Sequence, residues 1–395
     1  MAGLPSFWFT SGATSEEADV VVVGGGLLGA ATAWWAARDG RRVLLLEAHR
    51  VASGATGRGP GLVLTGGCEP FVELAARVGE WRALQLWELS RESVGMLRRE
   101  LLLTSRVECG WRPEGSWRTA PAGSAAERQW EESAARLAAE GFAVEWRDAA
   151  EARALSGSPP LGGAMGCAED GSLDPVALCR GLLAQSAVQV REGVAVRSLE
   201  PMGERVRLAW EAGEVVARSV VLAASAHSAS LVPGLSARLR AVGMQALAAA
   251  ATPRRLPGAW IVDQEGASGR EAVSLRQLAD GTVIAAAHPG TGAQAGYLDL
   301  PTAAGQADLE GAVNRLFPAL GRLAVRQRWA GTVAQTVDGL PVAGVAPSVP
   351  GAAYACASDA TGPAVAFVLG RRLARWTADR DPAHLALFVA AGASA

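Results

Sequence analysis

The sequence predicts an α/β (α+β) protein in which a domain built on a parallel sheet is interleaved with a domain built on a mostly antiparallel sheet. Unbroken apolar runs at 20–23, 43–46 and 219–224 are typical of strands buried on both faces of a parallel sheet. Short strand-like segments fill 241–287 and indicate antiparallel pairing. Parallel-type strands occur at both ends and in the middle of the chain, antiparallel segments are inserted twice, and no low-complexity linker divides the 395 residues. Each domain is therefore expected to be discontinuous in sequence.

The predicted boundaries follow these segments. After an N-terminal extension at 1–18, the first domain takes 19–90, 160–238 and 328–395, and the second takes 91–159 and 239–327. Residues 73–103 are predicted to form one long amphipathic segment with Trp81 and Trp87 in the core. Residues 51–61 are too rich in glycine for regular structure, so we expect a loop whose backbone lies against a flat ligand.

The first parallel-type strand leads directly into a glycine motif. The run at 20–23 is followed by a G-x-G-x-x-G motif, namely Gly24-Gly25-Gly26-Leu27-Leu28-Gly29. Gly24 permits the tight turn, Gly26 lets the backbone approach a pyrophosphate, and Gly29 allows the next helix to pack closely on the strand. The second strand ends at Glu47, which can accept hydrogen bonds from an adenosine ribose and so favours FAD or NAD over NADP. The stretch therefore predicts a dinucleotide site.

Composition excludes several other functions. A net charge of −2 without a basic stripe argues against nucleic acid as the main partner. The 37 basic residues are all arginine, which rules out lysyl nucleophiles and Schiff bases. The five cysteines are widely spaced without a C-x-x-C, so no metal site or disulfide framework is predicted. Without a secretory signal or an apolar run long enough to span a bilayer, the expected location is cytoplasmic.

Four further blocks accompany the glycine motif. They read ASGATGRGPG at 52–61, SLDPVAL at 172–178, VVLAASAHS at 220–228, and WAG at 329–331 followed by DGLPVAG at 338–344. With the opening motif, they resemble the D-amino-acid oxidase superfamily of FAD proteins, in the branch that contains glycine oxidase and sarcosine oxidase. The resemblance covers 19–376. The last block is more specific to this superfamily than the dinucleotide motif is.

This resemblance implies FAD bound across the opening motif. Besides the motif residues and Glu47, the positions that it assigns to the cofactor are Val196 behind the adenine, Arg58, Gly61 and Leu62 beside the isoalloxazine, Ala224 in the third block, and Thr361 and Gly362 at the pyrimidine edge. A helix that begins at Gly362 would stabilise negative charge on the reduced flavin. Non-covalent binding is implied, because Arg58 and Gly331 stand where related branches have a histidine or cysteine that bonds the flavin.

The implied chemistry is removal of a hydride from a carbon that bears an amine, followed by flavin reoxidation by O2 or a separate electron acceptor. The family's usual carboxylate anchors are replaced here, the arginine by Val333 and the tyrosine by Ala272. A carboxylate in a dry pocket without a cation is unfavourable. We therefore expect a secondary or bulky amine, or a modified amino acid, as substrate. Arg276 is either a new anchor or a structural residue.

His288 is the second candidate catalytic residue. It follows a strand at the position where sarcosine-oxidase-like enzymes have a lysine facing the flavin. A histidine there could act as a base, donate a hydrogen bond to substrate, or offer positive charge to developing superoxide. The alternative is a strand-end histidine exposed to solvent.

Three other functions stay open at this level. Loss of the anchors at Val333 and Ala272 suits an FAD-holding subunit of a multisubunit dehydrogenase, which needs a partner subunit. Asp359-Ala360 resembles the G-D-A segment of aromatic hydroxylases and suits a flavin hydroxylase. A nicotinamide-dependent dehydrogenase is the third.

Overall fold

Two large sheets and their covering helices make up the fold. The computed structural model describes residues 16–104, 107–252, 256–266, 269–289, 295–357 and 361–387. In these residues the strands are β1 (Glu16–Val23), β2 (Val43–Glu47), β3 (Leu62–Val63), β4 (Ser116–Pro121), β5 (Val144–Arg147), β6 (Leu161–Cys167), β7 (Gly171–Ser172), β8 (Gln189–Glu192), β9 (Ser198–Met202), β10 (Arg205–Trp210), β11 (Gly213–Leu222), β12 (Leu239–Ala249), β13 (Ala259–Gly266), β14 (Gly269–Gln277), β15 (Val283–His288), β16 (Val325–Thr336), β17 (Val342–Val345) and β18 (Ala352–Cys356). The α-helices are α1 (Leu27–Arg38), α2 (Ala55–Arg58), α3 (Phe71–Val78), α4 (Glu80–Leu97), α5 (Ala125–Ala139), α6 (Ala149–Ser156), α7 (Pro175–Ala184), α8 (Ala303–Leu316) and α9 (Gly362–Asp379).

The first sheet is parallel at its centre. Its order is β17-β18-β11-β1-β2-β8, and β10 and β9 extend it from β11. Val20 and Val22 pack in the helical core with α1 and α9, whereas Val21 packs on the opposite face with Val206 and Leu208. This burial on both faces explains why the apolar run shows no alternation.

Close packing of α1 on α9 positions the first turn of α1. A Cβ at Gly370 of α9 would lie 2.8 Å from the Cβ of Ala31, so the two helices approach at a position that only glycine allows. Trp35 and Phe367 fill the remainder of the contact, with ring centroids 5.3 Å apart. None of the described helices combines the length and apolar character needed to cross a membrane.

The second sheet is antiparallel except for one pair of strands. Its order is β16-β12-β15-β14-β13-β4-β6-β5, and only β13 and β4 run parallel among the described strands. One face packs on α8, where Leu247, Leu275 and Val283 contact Leu309 and Val313. β6 and β16 belong to this sheet, although β6 and most of β16 lie in the segments 160–238 and 328–395 that are predicted for the first domain. The boundaries of the two domains stay a proposal.

The opposite face of the second sheet, here called the inner face, lies against the glycine-rich segment. Its cluster contains Val242, Met244, Ala246, Ala286 and Val333, and Ala55 of α2 packs on it. Leu62 and Leu64 pack on Ala272 of the same face. The inner face and the carboxyl edge of the first sheet are therefore joined through residues 55–64.

Three local predictions were wrong. The segment predicted at 73–103 is divided between α3 and α4, because Gly79 has φ +87° and cannot continue a helix. Trp81 is 52% exposed, whereas Trp87 is buried as expected. The loop expected at 51–61 contains the one-turn helix α2, and Gly57 allows it because a Cβ there would lie 2.2 Å from Ala52 O.

Candidate functional site

The candidate site begins where the parallel strands of the first sheet end. Val23 of β1 is opposite Leu46 of β2 and Leu222 of β11. The residues that follow these positions therefore lie together at one edge of the sheet. In an open α/β sheet this carboxyl edge is where ligands bind.

The motif glycines pack so closely that side chains are excluded. Gly24 has φ +107°, and a Cβ there would lie 2.7 Å from Ala223 O. A Cβ at Gly29 would lie 1.9 Å from Gly24 O, so α1 could not approach β1 with any other residue. At Gly26 a Cβ would meet only Thr56 Oγ1, at 3.1 Å. The turn therefore packs tightly on the protein at Gly24 and Gly29. The space above Gly26, here called the cradle, is open and would be filled by any side chain at that position.

The first turn of α1 supplies donors for an anion. Gly26 is the N-cap residue and no acidic residue lies in the first turn. The N–H of Leu27 donates to Thr56 Oγ1 at 3.1 Å. Helix geometry leaves the N–H groups of Leu28 and Gly29 without acceptors within the helix. These donors and the positive end of the helix dipole fit a pyrophosphate, so the residues present fit the predicted dinucleotide.

Glu47 is held at the end of β2 beside this turn. Its Oε2 accepts a hydrogen bond from the N–H of Gly25 at 2.6 Å, and its Oε1 accepts from the N–H of His49 at 2.9 Å. An ionised carboxylate has further lone pairs that can accept from ribose hydroxyls. The N–H of Val194 donates to Glu47 O at 2.9 Å and brings the segment that contains half-buried Val196 alongside. Glu47 and Val196 therefore lie close together at the carboxyl edge of the first sheet, at one end of the crevice expected to hold the dinucleotide.

Arg58 joins the glycine-rich segment to β16. Its Nη1 donates to Ala330 O at 3.1 Å, and Trp329 Nε1 donates to Arg58 O at 2.8 Å. A Cβ at Gly331 would lie 2.8 Å from the Cβ of Arg58. The two positions that the resemblance links to covalent flavin attachment thus face each other, and neither carries a nucleophile.

Gly61 and Leu62 lie between the inner face and α7. Gly61 has φ +75°, and a Cβ there would lie 2.2 Å from Leu173 O. Leu62 is buried against Ala259 and Ile261. Gly61 is therefore a second position at which the backbone approach excludes a side chain.

Thr361 and Gly362 open α9 on the far side of the crevice. A Cβ at Gly67 would lie 2.9 Å from Thr361 Cγ2, so the helix start contacts the segment after β3. Ala224 follows β11, and its N–H donates to Ser228 Oγ at 3.2 Å. Asp359 and Ala360, which suggested a hydroxylase, lie outside the described residues.

Arg276 lies beneath Gly61 rather than beside the lost carboxylate anchors. It is 8% exposed, and its Nη1 is 3.5 Å from Gly61 O. Burial lowers the pKa of the guanidinium to about 10, so it stays charged at neutral pH. Arg276 is four residues from Ala272 along β14, which is about 13 Å in a strand. The structure therefore places the Arg276 guanidinium against Gly61 of the glycine-rich segment, four residues along β14 from Ala272.

His288 is buried on the inner face. It is 7% exposed and pairs with Ala272 across β14 and β15. Its Nε2 is 2.8 Å from Ser274 Oγ, and its buried Nδ1 has no hydrogen-bond partner among the described residues. Burial lowers the pKa of the imidazole to about 4. The solvent-exposed alternative is therefore wrong, and the ring carries no charge near neutrality that could attract superoxide.

Apart from Ser274, the residues beside His288 on β12 and β14 are apolar. β12 pairs with β15 so that Gln245 is opposite Ala287. One residue further along the two strands, Met244 lies beside His288. Ala272 lies on the other side of His288, and Val333 completes the inner-face cluster around Met244. Met244, Ala272 and Val333, here called the apolar row, offer no cation. On the next strand, β13, the buried Asp263 is opposite Ala272 and accepts a hydrogen bond from Trp130 Nε1 at 2.7 Å.

Sequence reasoning missed a buried ion pair that supports the site. Arg118 and Asp170 are both completely buried, with Arg118 Nη2 3.0 Å from Asp170 Oδ2. Arg118 also donates to Gly67 O and Thr65 O, at 3.0 and 2.8 Å. The N–H of Thr65 donates to Asp170 Oδ1 at 2.8 Å. The pair thereby fixes the segment between β3 and α3 on the second sheet, and no local pattern connects residues so far apart.

The low pKa of His288 predicts a pH dependence of stability. An unfolded histidine has a pKa near 6.5, so the unfolded chain binds a proton between pH 6.5 and about 4 that the folded chain does not bind. The stabilising contribution of neutral His288 is complete above pH 6.5 and falls as the pH decreases toward 4, by about 3 kcal/mol in total. Urea unfolding of the wild type and His288→Gln across this range measures the difference. If the free energy of unfolding changed with pH in the same way in both proteins, the low pKa would not belong to His288.

The solved structures of two enzymes have a fold similar to that of this chain. The fold is similar to that of glycine oxidase from Geobacillus kaustophilus, with a TM-score of 0.75 and 22% identity over 93% of this chain and 96% of that one. It is also similar to L-proline dehydrogenase from P. horikoshii, with a TM-score of 0.75 and 18% identity over 93% and 95% of the two chains. At these identities the likeness shows the fold.

Sequence relatives match shorter parts of the chain. A protein of Rhizobium meliloti described as a subunit of opine oxidase is 28% identical over 210 residues, which are 51% of this chain and 52% of that protein. A probable oxidoreductase, OrdL, of Haemophilus influenzae is 30% identical over 106 residues, or 27% and 24% of the two proteins. The chain spans about half or less of the length of these curated relatives. The family model described as FAD dependent oxidoreductase matches residues 19–376, which confirms the predicted resemblance and cofactor: the chain belongs to the DAO family of FAD-dependent oxidoreductases.

Proposed function

We propose that this FAD-dependent oxidoreductase oxidises a C–N bond of an amine or a modified amino acid to an imine. The observation that carries the proposal is the apolar inner face around His288, which lies against the glycine-rich segment assigned to the isoalloxazine. Similar folds in glycine oxidase and L-proline dehydrogenase support the choice of chemistry. FAD, when bound, supplies the two-electron acceptor for hydride transfer.

In this proposal the residues of the chain bind FAD and orient the substrate. The first turn of α1 would hold the pyrophosphate of FAD and Glu47 would hold its adenosine ribose, while the start of α9 would stabilise negative charge on the flavin. Binding is non-covalent, because Arg58 and Gly331 offer no nucleophile. Met244, Ala272 and Val333 exclude water from the substrate, which keeps an amine neutral at its nitrogen. Most of the rate enhancement then comes from positioning the carbon that loses the hydride.

The apolar row also limits the substrate. Val333 and Ala272 themselves offer no cation to a free carboxylate. Arg58 lies beside Gly331, two residues from Val333, but it already pairs with Asp299 and donates to Ala330 O. Burial of a free carboxylate here is therefore unfavourable. The charged Arg276 lies about 13 Å away along the strand and cannot replace the lost anchor. We propose a secondary or bulky amine, or an amino acid whose carboxylate is modified, as the substrate class.

Anaerobic mixing of the purified protein with a panel of amines tests this function. We expect a yellow protein whose flavin absorbance bleaches with secondary amines and far more slowly with glycine or alanine. Acid precipitation should release the flavin into the supernatant, as non-covalent binding requires. Protein that neither holds nor takes up FAD would overturn the cofactor assignment. Equal bleaching by free amino acids would overturn the substrate class.

A second candidate function is the FAD-holding subunit of a larger dehydrogenase. The similarity to a subunit of opine oxidase favours it, although that similarity spans only about half of each protein. Bleaching by the chain alone supports a self-sufficient enzyme, whereas bleaching that requires an added partner protein supports the subunit. O2 or a separate electron carrier remains the proposed acceptor, and the cytoplasmic location stays a prediction.

A further inference from the structure

The pair formed by Ser274 and His288 is a buried polar contact of the inner face. Ser274 is completely buried on β14, and His288 is 7% exposed on β15. The distance of 2.8 Å between Ser274 Oγ and His288 Nε2 is that of a strong hydrogen bond. The second ring nitrogen, Nδ1, is also buried and has no partner in the described part of the chain. A buried nitrogen without a partner is unfavourable unless a ligand supplies one.

The direction of this hydrogen bond follows from counting donors and acceptors. If Nε2 carries the proton and donates to Ser274 Oγ, the serine hydrogen is left buried without an acceptor, and Nδ1 is left as a bare acceptor. If the serine donates to Nε2, every hydrogen of the pair is used except the one on Nδ1 of His288. A ligand that accepts from Nδ1–H then satisfies the whole pair. Each arrangement leaves one buried hydrogen without an acceptor in the free protein, which is destabilising by about 1–3 kcal/mol. The second arrangement is favoured because it supplies a donor to the bare imidazole nitrogen, which is a stronger acceptor than a hydroxyl oxygen.

We infer that Ser274 is a positioning residue that fixes His288 as the Nδ1–H tautomer, and that this neutral donor binds a carbonyl oxygen of the substrate. The inference rests on the proposed function and specifies its substrate class. An uncharged donor in an apolar row suits an uncharged acceptor, such as the oxygen of an amide or ester. The amine nitrogen is excluded as the acceptor, because its lone pair forms the C=N bond when the hydride leaves. The substrate is then an amine with an amide or ester oxygen near the reacting carbon.

Nitrogen NMR of the holoenzyme tests the tautomer without any substrate. The chain has four histidines, so labelling with 15N-histidine gives few signals and His288→Gln identifies those of His288. We expect a protonated Nδ1 and a bare, hydrogen-bonded Nε2. In Ser274→Ala the fixed tautomer should be lost, and in Ser274→Thr, which keeps the hydroxyl, it should be retained. A protonated Nε2 in the wild type would overturn the inference even if amine oxidation is established.

Anaerobic flavin reduction tests the substrate class with two probes, N-methylglycinamide and N-methylpropylamine. Expressed as the concentration of neutral amine, which corrects for the lower basicity of the amide probe, half-saturation of reduction should need about three- to tenfold less of the amide, as one hydrogen bond allows. Ser274→Ala should remove this advantage with little change in the limiting rate. The matched control is Ser219→Ala, because Ser219 is equally buried on β11 and its hydroxyl is 3.4 Å from Thr377 O, remote from the inner face. Equal behaviour of the two probes with the wild type would overturn the carbonyl assignment. Failure of both probes and of the whole amine panel would instead count against the proposed function, and the NMR result would stand by itself.

Discussion

Replacing Gly29 with alanine is expected to remove FAD from the purified protein. The new Cβ would lie 1.9 Å from Gly24 O, a distance at which the backbone must move. Because Gly24 is itself fixed against Ala223 O, α1 has to shift away from β1 and take its first-turn N–H groups with it. We expect at least about tenfold weaker FAD binding, equivalent to ~1.4 kcal/mol. The ratio of flavin to protein absorbance and a titration with FAD measure the effect.

Gly311→Ala is the matched control. Gly311 lies within α8, and a Cβ there would meet nothing within 4 Å. Alanine at an unhindered helical position raises stability by up to about 1 kcal/mol. The variant should keep its full complement of FAD. If Gly29→Ala also retained full FAD, the cradle would not be where the cofactor binds.

Replacing Asp170 with asparagine should give the largest loss of stability. Arg118 is completely buried and its partner would lose its charge, which leaves a guanidinium without a counterion in the core. Breaking a buried pair in this way lowers the free energy of unfolding by about 3–5 kcal/mol. Urea unfolding of the holoenzyme at a fixed FAD concentration measures it, since bound ligand adds to apparent stability.

Two further variants separate this effect from general damage. Glu88→Gln removes an exposed ion pair with Arg91 and should change stability by no more than about 0.5 kcal/mol. Arg118→Met combined with Asp170→Leu removes both charges and should destabilise less than Asp170→Asn alone. A single variant that loses less than the double variant would contradict the account of Arg118 as a buried charge that requires its partner.

The part of the site that could be predicted from sequence is local in the chain. Gly24, Gly29 and Glu47 belong to one strand–helix–strand unit, and their contacts depend on short-range geometry. Their placement at the carboxyl edge follows from the pairing of β1 with β2. The residue types demanded by tight packing, above all glycine, are visible in the sequence because no other residue fits.

The rest of the site depends on how distant strands align. His288 contacts Ser274 because β14 and β15 pair in one particular register, and a shift of one residue between the strands would place the two side chains on opposite faces of the sheet. The same holds for Arg118 and Asp170, which are 52 residues apart. The sequence could place His288 after a strand, but burial and the low pKa arise only from the packing of the two sheets.

A single anaerobic turnover tests the central claim most directly. The holoenzyme is mixed with one equivalent of the secondary amine that bleaches the flavin fastest, and the products are quantified before air is admitted. Oxidation of the C–N bond forms an imine, and water then hydrolyses it. We therefore predict one carbonyl compound and one primary amine for each flavin reduced. Flavin that is reduced only by a nicotinamide donor, with an oxygen atom added to the substrate after air is admitted, would contradict amine oxidation and identify a hydroxylase.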